Sequence, residues 1–486
     1  MIGYYPAAQI RAAEEATGPL LTGGVLMARA AAGVARVALS ELRERCGGVY
    51  GRRVGLVVGA GNNGGDALYA GARLARSGAA VQAVLPAPDA AHPGGLAAFR
   101  AAGGRVVPTL SPDTDLVIDA VVGLGGHGPL RPAAADAFAA VPGVPVLAVD
   151  LPSGIDPDTG QVHDPSVTAT VSVTFGARRL AHLLAAPRCG RIEVIDIGLA
   201  EGESSTLGEP AVASLTDAEV AALWPLPGPA DDKYTQGVAG IVAGSEQYPG
   251  AAVLCTGGSI AATSGMTRFV GGAAAVVVGH RPEVVAVHRI ADAGTVQAWV
   301  VGPGLGTGAH AEHLVEHVLA ADVPALVDAD GLTVLARRPD LLAGRTAPTL
   351  LTPHAGEYAR LAGHPVGPDR LAAVRELAAE LGVTVLLKGR ITLVADPDGT
   401  VLGNDAGSSW AATAGAGDVL SGMAGALLAA GLPPRPAGAA AARVHARAAL
   451  LAEHGGPPGP GGAPIGASDL VAAVPQAIRE LEGLGQ

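Results

Sequence analysis

Lysine and aromatic residues are scarce in this chain of 486 residues. Lys233 and Lys388 are its only lysines, aromatic residues make up 3% of the sequence, and the formal net charge is -12. Surfaces that bind nucleic acids usually present clustered basic residues, often with stacking aromatic residues between them, and no such stripe occurs here. The composition therefore argues against a nucleic-acid partner and favours small molecules.

Closely spaced cysteines, a signal sequence and long apolar runs are also lacking. Cys46, Cys189 and Cys255 are far apart and form no metal-ligand or redox spacing. The N-terminus shows no basic and apolar signal pattern, and no stretch of about 18 apolar residues runs free of charges and breakers. We therefore expect buried thiols, no membrane partner and a cytoplasmic enzyme.

Short β-branched runs alternate with helical intervals along a chain that is long enough for two domains. This alternation predicts an α/β fold with mostly parallel sheets covered on both faces. A lapse into small polar residues at 202–208 places the domain boundary at about 205–215. The predicted strands are 54–58, 81–85, 116–122, 144–149, 167–175, 192–197, 237–243, 274–278, 298–301, 325–327, 349–352, 384–387, 391–394 and 400–402.

A glycine-rich loop, Gly59 to Asp66, follows the first predicted strand and opens a helical pattern. This order places several backbone N–H groups at a helix N-terminus, where they favour an anion such as a pyrophosphate. A tight turn that serves packing alone is the alternative. The paired amides Asn62 and Asn63 favour the binding site.

Two further strand ends in the first half carry polar groups. Asp119 precedes the loop Gly123 to Pro129, which can approach a ligand closely because much of it lacks side chains, and Asp150 ends the next strand, followed by Ser153. Together with Asn63, Asp119 and Ser153 offer only oxygen ligands. Such a set suits a hard cation such as potassium better than zinc.

In order, Asn62 to Asp66, Asp119 with its glycine loop, and Asp150 to Asp156 resemble the motifs of the epimerase domain of the NAD(P)H-hydrate repair enzymes. The resemblance covers residues 1–210 and implies a Rossmann-like three-layer α/β/α sandwich. It implies that NADH hydrate and NADPH hydrate contact Asn62, Asn63, Gly64, Gly65, Asp66, Gly123, Leu124, Gly125, Gly126, His127, Gly128, Pro129 and Asp150.

The same resemblance assigns chemistry to individual side chains. It implies that Asp150 is the acid/base residue. It implies that potassium is bound by Asn63, Asp119 and Ser153. The family often carries Thr, Leu and Arg at the positions of Leu124, Gly126 and Gly128.

A second glycine-bracketed aspartate, in Gly415 to Asp418, precedes an apolar helical pattern. Its backbone amides would stabilise a transferring phosphoryl group while Asp418 takes a proton from the attacking hydroxyl. A helix cap is the alternative for this loop. Lys388 follows an apolar strand and could bind a nucleotide phosphate, with a plain surface lysine as the alternative.

The second half resembles the ribokinase-like dehydratase domain of the same repair enzymes, over residues 211–486. The matching motifs are Lys233 to Gly237, Tyr248 to Ala251, Gly302 to Gly306, Asp328 to Leu332, Thr352 to Glu357, Lys388 to Gly389 and Gly415 to Asp418. The resemblance implies that the hydrate contacts Ala251, Gly304, His354 and Asp418. It implies that the adenine nucleotide contacts Lys388, Gly389, Arg390, Ile391, Thr392 and Gly417.

Asp418 is the predicted catalytic residue of this domain. The family usually has Gly-Thr-Gly-Asp where this chain has Ala416 in second place, which keeps the backbone donors but loses a hydroxyl. Catalysis should survive that change. For His354, a cap of the following helix is the alternative to a ligand contact.

The sequence thus predicts a bifunctional metabolite-repair enzyme that epimerises R and S hydrates and dehydrates the S form with ADP and magnesium. One rival is a ribokinase-like kinase for a vitamin precursor, whose product keeps its phosphate. The other is that residues 1–210 form only a nucleotide-binding or interaction module. By analogy with both domain types, a homo-oligomer is expected.

Overall fold

The computed structural model describes residues 1–199, 207–457 and 461–481. The chain forms two compact units, one of Gly3–Val212 and one of Met1–Ile2 with Ala213–Gln486. Most of the polar lapse predicted at 202–208, and the first part of the predicted boundary at 205–206, lie outside the described residues.

The first unit is built on a parallel sheet of β2, β3, β4, β5, β6, β7 and β9, in the order β4-β3-β2-β5-β6-β7-β9, and a parallel pairing of β1 with β8. Its strands are β1 Ile2–Tyr5, β2 Arg53–Val58, β3 Ala80–Val84, β4 Arg105–Val106, β5 Leu116–Ala120, β6 Val146–Val149, β7 Val171–Phe175, β8 Arg178–Arg179 and β9 Arg191–Ile195. Its helices are α1 Ala7–Ala16, α2 Pro19–Thr22, α3 Val25–Cys46, α4 Gly61–Arg76, α5 Pro93–Ala101, α6 Pro132–Ala139, α7 Ala181–Leu184 and α8 Ala186–Cys189, with a 3-10 helix at Pro88–Ala90.

Both faces of this sheet are covered, as continuous apolar strands require. Leu56 on one face of β2 belongs to a cluster with α3 and α4, and Val57 on the other face packs with residues of α6. The sharp turn from β2 into α4 depends on Gly59, because a Cβ there would lie 1.9 Å from the carbonyl oxygen of Val121. The predicted three-layer α/β/α sandwich is confirmed.

The second unit is built on a mixed sheet, in the order β13-β12-β11-β14-β15-β16-β17-β18-β19-β10, that is parallel except for the pairs β17–β18 and β18–β19. The strands are β10 Val212–Ser214, β11 Val238–Val242, β12 Met266–Val270, β13 Val285–Val287, β14 Ala298–Val301, β15 Ala325–Val327, β16 Thr349–Leu351, β17 Thr384–Leu387, β18 Ile391–Ala395 and β19 Val401–Asp405. The helices are α9 Asp217–Leu223, α10 Pro249–Ala262, α11 Ala274–His280, α12 Ala309–Ala320, α13 Asp330–Arg337, α14 Ala355–Ala362, α15 Arg370–Leu381, α16 Ala416–Ala429, α17 Pro434–His454 and α18 Ala467–Arg479, with 3-10 helices at Ile290–Asp292 and Pro339–Leu342.

Small residues let α10 and α16 pack at very short range. A Cβ on Gly422 would lie 1.9 Å from the carbonyl oxygen of Cys255, and one on Gly258 would lie 2.3 Å from that of Val419. The backbones of the two helices therefore nearly touch. This contact fixes the position of α16, whose first turn carries Asp418.

The strand predicted at 274–278 is wrong, because these residues form α11 and the strand next to β11 is Met266–Val270. Ala274 and Val277 are buried, whereas Val276 and Val278 are each 41% exposed. Burial at a spacing of three residues is helical and overrides the strand propensity of consecutive valines.

The sequence led us to expect buried thiols and no membrane partner, and the structure describes both the cysteines and the helices. Cys189 and Cys255 are buried, whereas Cys46 is half-buried. Within residues 1–199, 207–457 and 461–481, no helix combines the length and the apolar character needed to cross a membrane.

Two candidate active sites

A cavity of about 460 Å³ in the first unit lies beside the carboxyl ends of β2, β5 and β6. Seven predicted hydrate contacts line it: Asn62, Asn63, Asp66, Gly123, Leu124, Gly125 and Asp150. Sequence reasoning missed four side chains in its lining: Arg11, Glu14, Phe175 and Arg179. The remaining predicted contacts do not line it: Gly64, Gly65, Gly126, His127, Gly128 and Pro129.

Packing accounts for several residues in that last group. A Cβ on Gly64 would lie 2.3 Å from the Gly59 carbonyl oxygen, and one on Gly65 would lie 2.9 Å from the His92 ring. The exposed ring of His127 lies 3.0 Å from the Asp156 carboxylate. Contacts of these residues with a hydrate stay predictions.

Asp150 is buried and held by a charged partner. Its Oδ1 accepts a hydrogen bond from the Thr174 hydroxyl at 2.9 Å and lies 3.0 Å from Nη2 of Arg179. Arg179 is 1% exposed, and its Nη1 donates to the carbonyl oxygens of Phe175 and Ala177. The arrangement fixes the orientation of the Asp150 carboxylate at the cavity wall.

His182 supports the backbone of Asp150. Its Nδ1 accepts from the Arg179 backbone N–H at 2.9 Å, so the ring is a neutral tautomer that donates from Nε2 to the Asp150 carbonyl oxygen at 2.8 Å. Burial lowers the pKa of His182 to about 4. Asp150 has φ 68, a left-handed conformation that is unusual outside glycine, and this hydrogen bond helps to hold it.

Two further carboxyl groups, Glu14 and Asp66, line the same cavity. Burial, with the charges of Asp150 and Glu14, raises the pKa of Asp66 well above its usual range, and burial also raises the pKa of Glu14. Oδ1 of Asp66 is enclosed and forms no hydrogen bond within the described residues. The cavity therefore combines one salt-bridged carboxylate with two carboxyl groups that hold protons more readily.

The three predicted potassium ligands surround the segment after β5. Asp119 is fully buried and accepts from the backbone N–H and hydroxyl of Ser153 at 2.8 and 2.7 Å, and burial raises its pKa to about 6. The Ser153 hydroxyl also accepts from the Val122 N–H at 3.2 Å. A Cβ on the next residue, Gly123, would lie 3.0 Å from Oδ1 of Asn63, whose Nδ2 is enclosed without a partner within the described residues.

In the second unit, a cavity of about 430 Å³ lies at the N-terminus of α16. Five predicted nucleotide contacts and His354 line it: Lys388, Gly389, Arg390, Thr392 and Gly417. Ile391, Ala251, Gly304 and Asp418 do not line it. Its other walls include residues that sequence reasoning missed: Asn404, Ser408, Ser409, Thr413, Leu420 and His445.

Asp418 lies in the first turn of α16, directly after Gly417. Burial, followed by the charge of Asp328, raises the pKa of Asp418 to about 7, although the charge of Lys388 opposes the rise. A carboxyl group with a pKa near 7 is partly ionised at neutral pH, and its ionised form can accept a proton from a hydroxyl. The arrangement therefore suits a general base.

Lys388 brings a positive charge to the same helix end. Its Nζ lies 2.6 Å from Oδ1 of Asp328 and 3.5 Å from Oε2 of Glu357, and 3.5 Å from the point where a Cβ on Gly417 would lie. Burial lowers the pKa of Lys388, but the two carboxylates outweigh it and leave the pKa raised. Ser421, another missed residue, donates to Oδ2 of Asp328 at 2.8 Å.

His354 is the N-cap of α14, which was the alternative to a ligand contact in the sequence analysis. Its Nδ1 accepts from the N–H groups of Gly356 and Glu357 at 2.9 and 3.3 Å, and the Glu357 carboxylate accepts from the His354 N–H at 2.8 Å. The side chain is 55% exposed and also lines the cavity, and its Nε2 lies 3.3 Å from Oε1 of Glu357.

Ala251 and Gly304 lie side by side, since a Cβ on Gly304 would be 2.7 Å from that of Ala251. The Asp330 carboxylate accepts from the Gly306 N–H at 2.8 Å, which ties the glycine loop to the start of α13. His445 donates to the Ala416 carbonyl oxygen at 2.9 Å, and burial lowers its pKa to about 4. These contacts fix the loops around the start of α16.

Both units match known families. The family model described as YjeF-related protein N-terminus matches residues 23–181, and the one described as NAD(P)H-hydrate dehydratase matches residues 239–456. A ribokinase-like superfamily protein from Enterococcus faecalis V583 superimposes with a TM-score of 0.50 and 23% identity, over 56% of this chain and 96% of that one. The last likeness concerns the fold alone.

Relatives match along nearly the whole length. The bifunctional NAD(P)H-hydrate repair enzyme Nnr of Mycobacterium leprae is 57% identical over 98% of this chain and 99% of its own. The enzyme of the same name from Mycobacterium tuberculosis is 58% identical over 90% of this chain and 91% of its own. The predicted resemblance is confirmed, and this chain belongs to the family of bifunctional NAD(P)H-hydrate repair enzymes, with an epimerase domain followed by a ribokinase-like dehydratase domain.

Proposed function

We propose that residues 1–210 interconvert the R and S epimers of NADH hydrate and NADPH hydrate, and that residues 211–486 dehydrate the S epimer at the expense of ADP. The observation that carries the proposal is the presence of two different cavities in one chain. The first is lined by carboxyl groups, and the second is lined by Lys388 and Gly417 and lies beside Asp418, whose pKa is raised to about 7. The first provides acid/base groups, and the second provides a phosphoryl-transfer site.

In the dehydratase domain, Asp418 would take the proton of the hydrate hydroxyl as its oxygen attacks the terminal phosphorus of ADP. AMP leaves, and the amides at the start of α16, with Lys388, stabilise the charge on the phosphoryl oxygens. The phosphorylated carbon then loses phosphate, and the neighbouring carbon loses a proton, which regenerates the reduced nicotinamide. Hydroxide is a poor leaving group and phosphate a good one, so phosphorylation drives the elimination.

Magnesium would accompany the nucleotide in this site. The charges of Asp328, Asp330 and Glu357 raise the pKa of Asp418. Among the charges that shift this pKa, only that of Lys388 lowers it. This excess of negative charge fits a divalent cation bound mainly through phosphate oxygens. When bound, the ion would neutralise charge that develops on the phosphates.

In the epimerase domain, Asp150 would act as the acid/base residue, moving the proton of the hydrate hydroxyl, while Arg179 holds its carboxylate in place. Asn63, Asp119 and Ser153 fit potassium, because they combine amide, carboxylate and hydroxyl oxygens. Asp119 is also buried, and no basic side chain is among the groups that shift its pKa. Bound there, potassium would supply a fixed positive charge next to the cavity. A cytoplasmic location and a homo-oligomer stay predictions.

Product analysis tests the proposal against a kinase that keeps its product phosphorylated. The full-length protein is incubated with S-NADH hydrate, magnesium and either ADP or ATP, and the nucleotides and phosphate are quantified. Equal amounts of NADH, AMP and phosphate formed with ADP support the proposal. A stable phosphorylated product, or no consumption of hydrate with either nucleotide, contradicts it.

A further inference from the structure

We infer that a second cavity in the epimerase domain binds a phosphate group on the adenosine side of the hydrate, through Arg73 and Arg76. This inference rests on the proposed epimerase function. The cavity has a volume of about 610 Å³ and shares four lining residues with the first one: Glu14, Asn62, Asp66 and Phe175. A molecule that reaches Asp150 in the first cavity can therefore continue into the second.

One face of α4 forms a polar wall along this second cavity. The residues are Asn62, Asp66, Tyr69, Arg73 and Arg76, spaced by four, three, four and three positions. This is the spacing of a single stripe on a helix, and fourteen residue steps cover about 21 Å along the axis. The stripe leads from the hydrate-binding loop to two guanidinium groups.

The wall opposite α4 is mostly apolar. It is formed by the end of α2, the start of α3 and the glycines between them, with Thr22, Gly23, Gly24, Leu26, Met27, Ala28, Ala30 and Ala31 in the lining. One polar and one apolar wall suit a ribose and base, which present hydroxyl edges and flat apolar faces. The dimensions and chemistry of the cavity fit the adenosine half of a dinucleotide.

The charges are separated along the cavity. Both arginines are exposed, and among the hydrogen bonds and ion pairs of residues 1–199, 207–457 and 461–481 none engages either guanidinium group. The lining carboxyl groups are Glu14 and Asp66, and Asp66 precedes Arg73 by seven residues, or about 10 Å along the helix. The arginine end can thus bind an anion, and guanidinium groups match phosphate oxygens in a forked geometry.

Two phosphate sources are possible in this substrate: the pyrophosphate shared by both hydrates and the 2′-phosphate of NADPH hydrate alone. The test compares the full-length protein with the double variant Arg73→Gln/Arg76→Gln and with a control, Arg36→Gln, which removes an exposed arginine from α3. Epimerisation of R-NADH hydrate and R-NADPH hydrate is measured separately, and the kcat of epimerisation reports on folding of the first unit, where both arginines lie.

We expect the double variant to raise the epimerase KM at least about tenfold, with kcat within about twofold, because charge-assisted hydrogen bonds to the phosphate are lost from a part of the substrate away from the reacting centre. A rise for NADPH hydrate alone assigns the 2′-phosphate, and an equal rise for both hydrates assigns the pyrophosphate. Unchanged KM values for both hydrates in an active double variant overturn the inference but leave the proposed function intact. An unmodified protein that fails to epimerise contradicts the proposed function itself.

Discussion

Arg179 and Asp150 form an ion pair of 3.0 Å in which both side chains are buried. The Thr174 hydroxyl and the His182 ring bind the same aspartate, one at its carboxylate and the other at its carbonyl oxygen. A buried pair of this kind contributes little by itself, but loss of one partner leaves an uncompensated charge. Arg179 is therefore coupled to the stability of the first unit and to the geometry of its site.

Arg179→Met should destabilise the first unit by about 3 to 5 kcal/mol, because the Asp150 carboxylate loses its buried partner. Denaturant unfolding of the full-length protein measures this change. The double variant Arg179→Met/Asp150→Asn should recover much of the stability and yet fail to epimerise. A double variant as unstable as the single one would show that Arg179 acts through its contacts with Phe175 and Ala177 instead.

Asp418→Asn should lower the kcat of dehydration by about 10² to 10⁴, the usual contribution of a positioned base, with epimerisation unaffected. Steady-state rates with S and R hydrates measure the two activities separately. Ser421→Ala, which removes a hydrogen bond to Asp328 but leaves the base in place, is the milder control. Equal losses in both variants would argue against Asp418 as the base.

The kcat/KM of dehydration should rise with pH through about 7 and level off above it, because Asp418 must lose its proton to act as a base. Lys388 opposes the raised pKa of Asp418, so Lys388→Met should move this limb to higher pH as well as weaken nucleotide binding. A pH–rate profile at saturating magnesium measures both. A limb that stays in place without the lysine would contradict the assignment.

Stability should respond to pH in the opposite sense. The pKa of Asp418 is raised in the folded chain, so ionisation costs stability as pH rises from the unfolded pKa toward about 7. Asp418→Asn should therefore stabilise the second unit at pH 8 by roughly 1 to 3 kcal/mol, and by less at pH 5. Thermal unfolding at the two pH values measures the difference, and an equal effect at both would contradict the raised pKa.

Gly422→Ala should destabilise the second unit by about 1 to 3 kcal/mol or more, since its Cβ would lie 1.9 Å from the Cys255 carbonyl oxygen and would push α10 from α16. Gly279→Ala is the matched control: it also lies in a helix, with no atom within 4 Å of the added Cβ. The control should be neutral or slightly stabilising. Chemical denaturation of both variants separates packing from helix propensity.

Local motifs explain what the sequence could predict. A strand, a glycine turn and a helix start are consecutive in sequence, so the positions of Asn62, Asp66 and Asp418 followed from the pattern around them. The fold class followed for the same reason, since alternating buried strands and helices are also a local signal. Most predicted strand limits were close, but the strand predicted at 167–175 begins only at Val171, the one predicted at 400–402 extends to Asp405, and 274–278 is a helix.

Residues that reach a site from elements without a motif were missed. Arg179, His182 and Glu14 meet Asp150 and Asp66 only through tertiary packing, and nothing in their neighbours in sequence shows whether they are buried. For Arg179 the one available signal was a basic residue close after the apolar strand β7, and Glu14 within α1 gave none. Such a signal does not name a partner.

The central claim is that two coupled activities repair both epimers. The most direct test follows the absorbance of reduced nicotinamide when the full-length protein acts on pure R-NADH hydrate with potassium, magnesium and ADP. Complete recovery of NADH, abolished separately by Asp150→Asn and by Asp418→Asn, is the predicted result. Recovery from S hydrate but none from R hydrate would contradict the claim, because the first domain would then bind without epimerising.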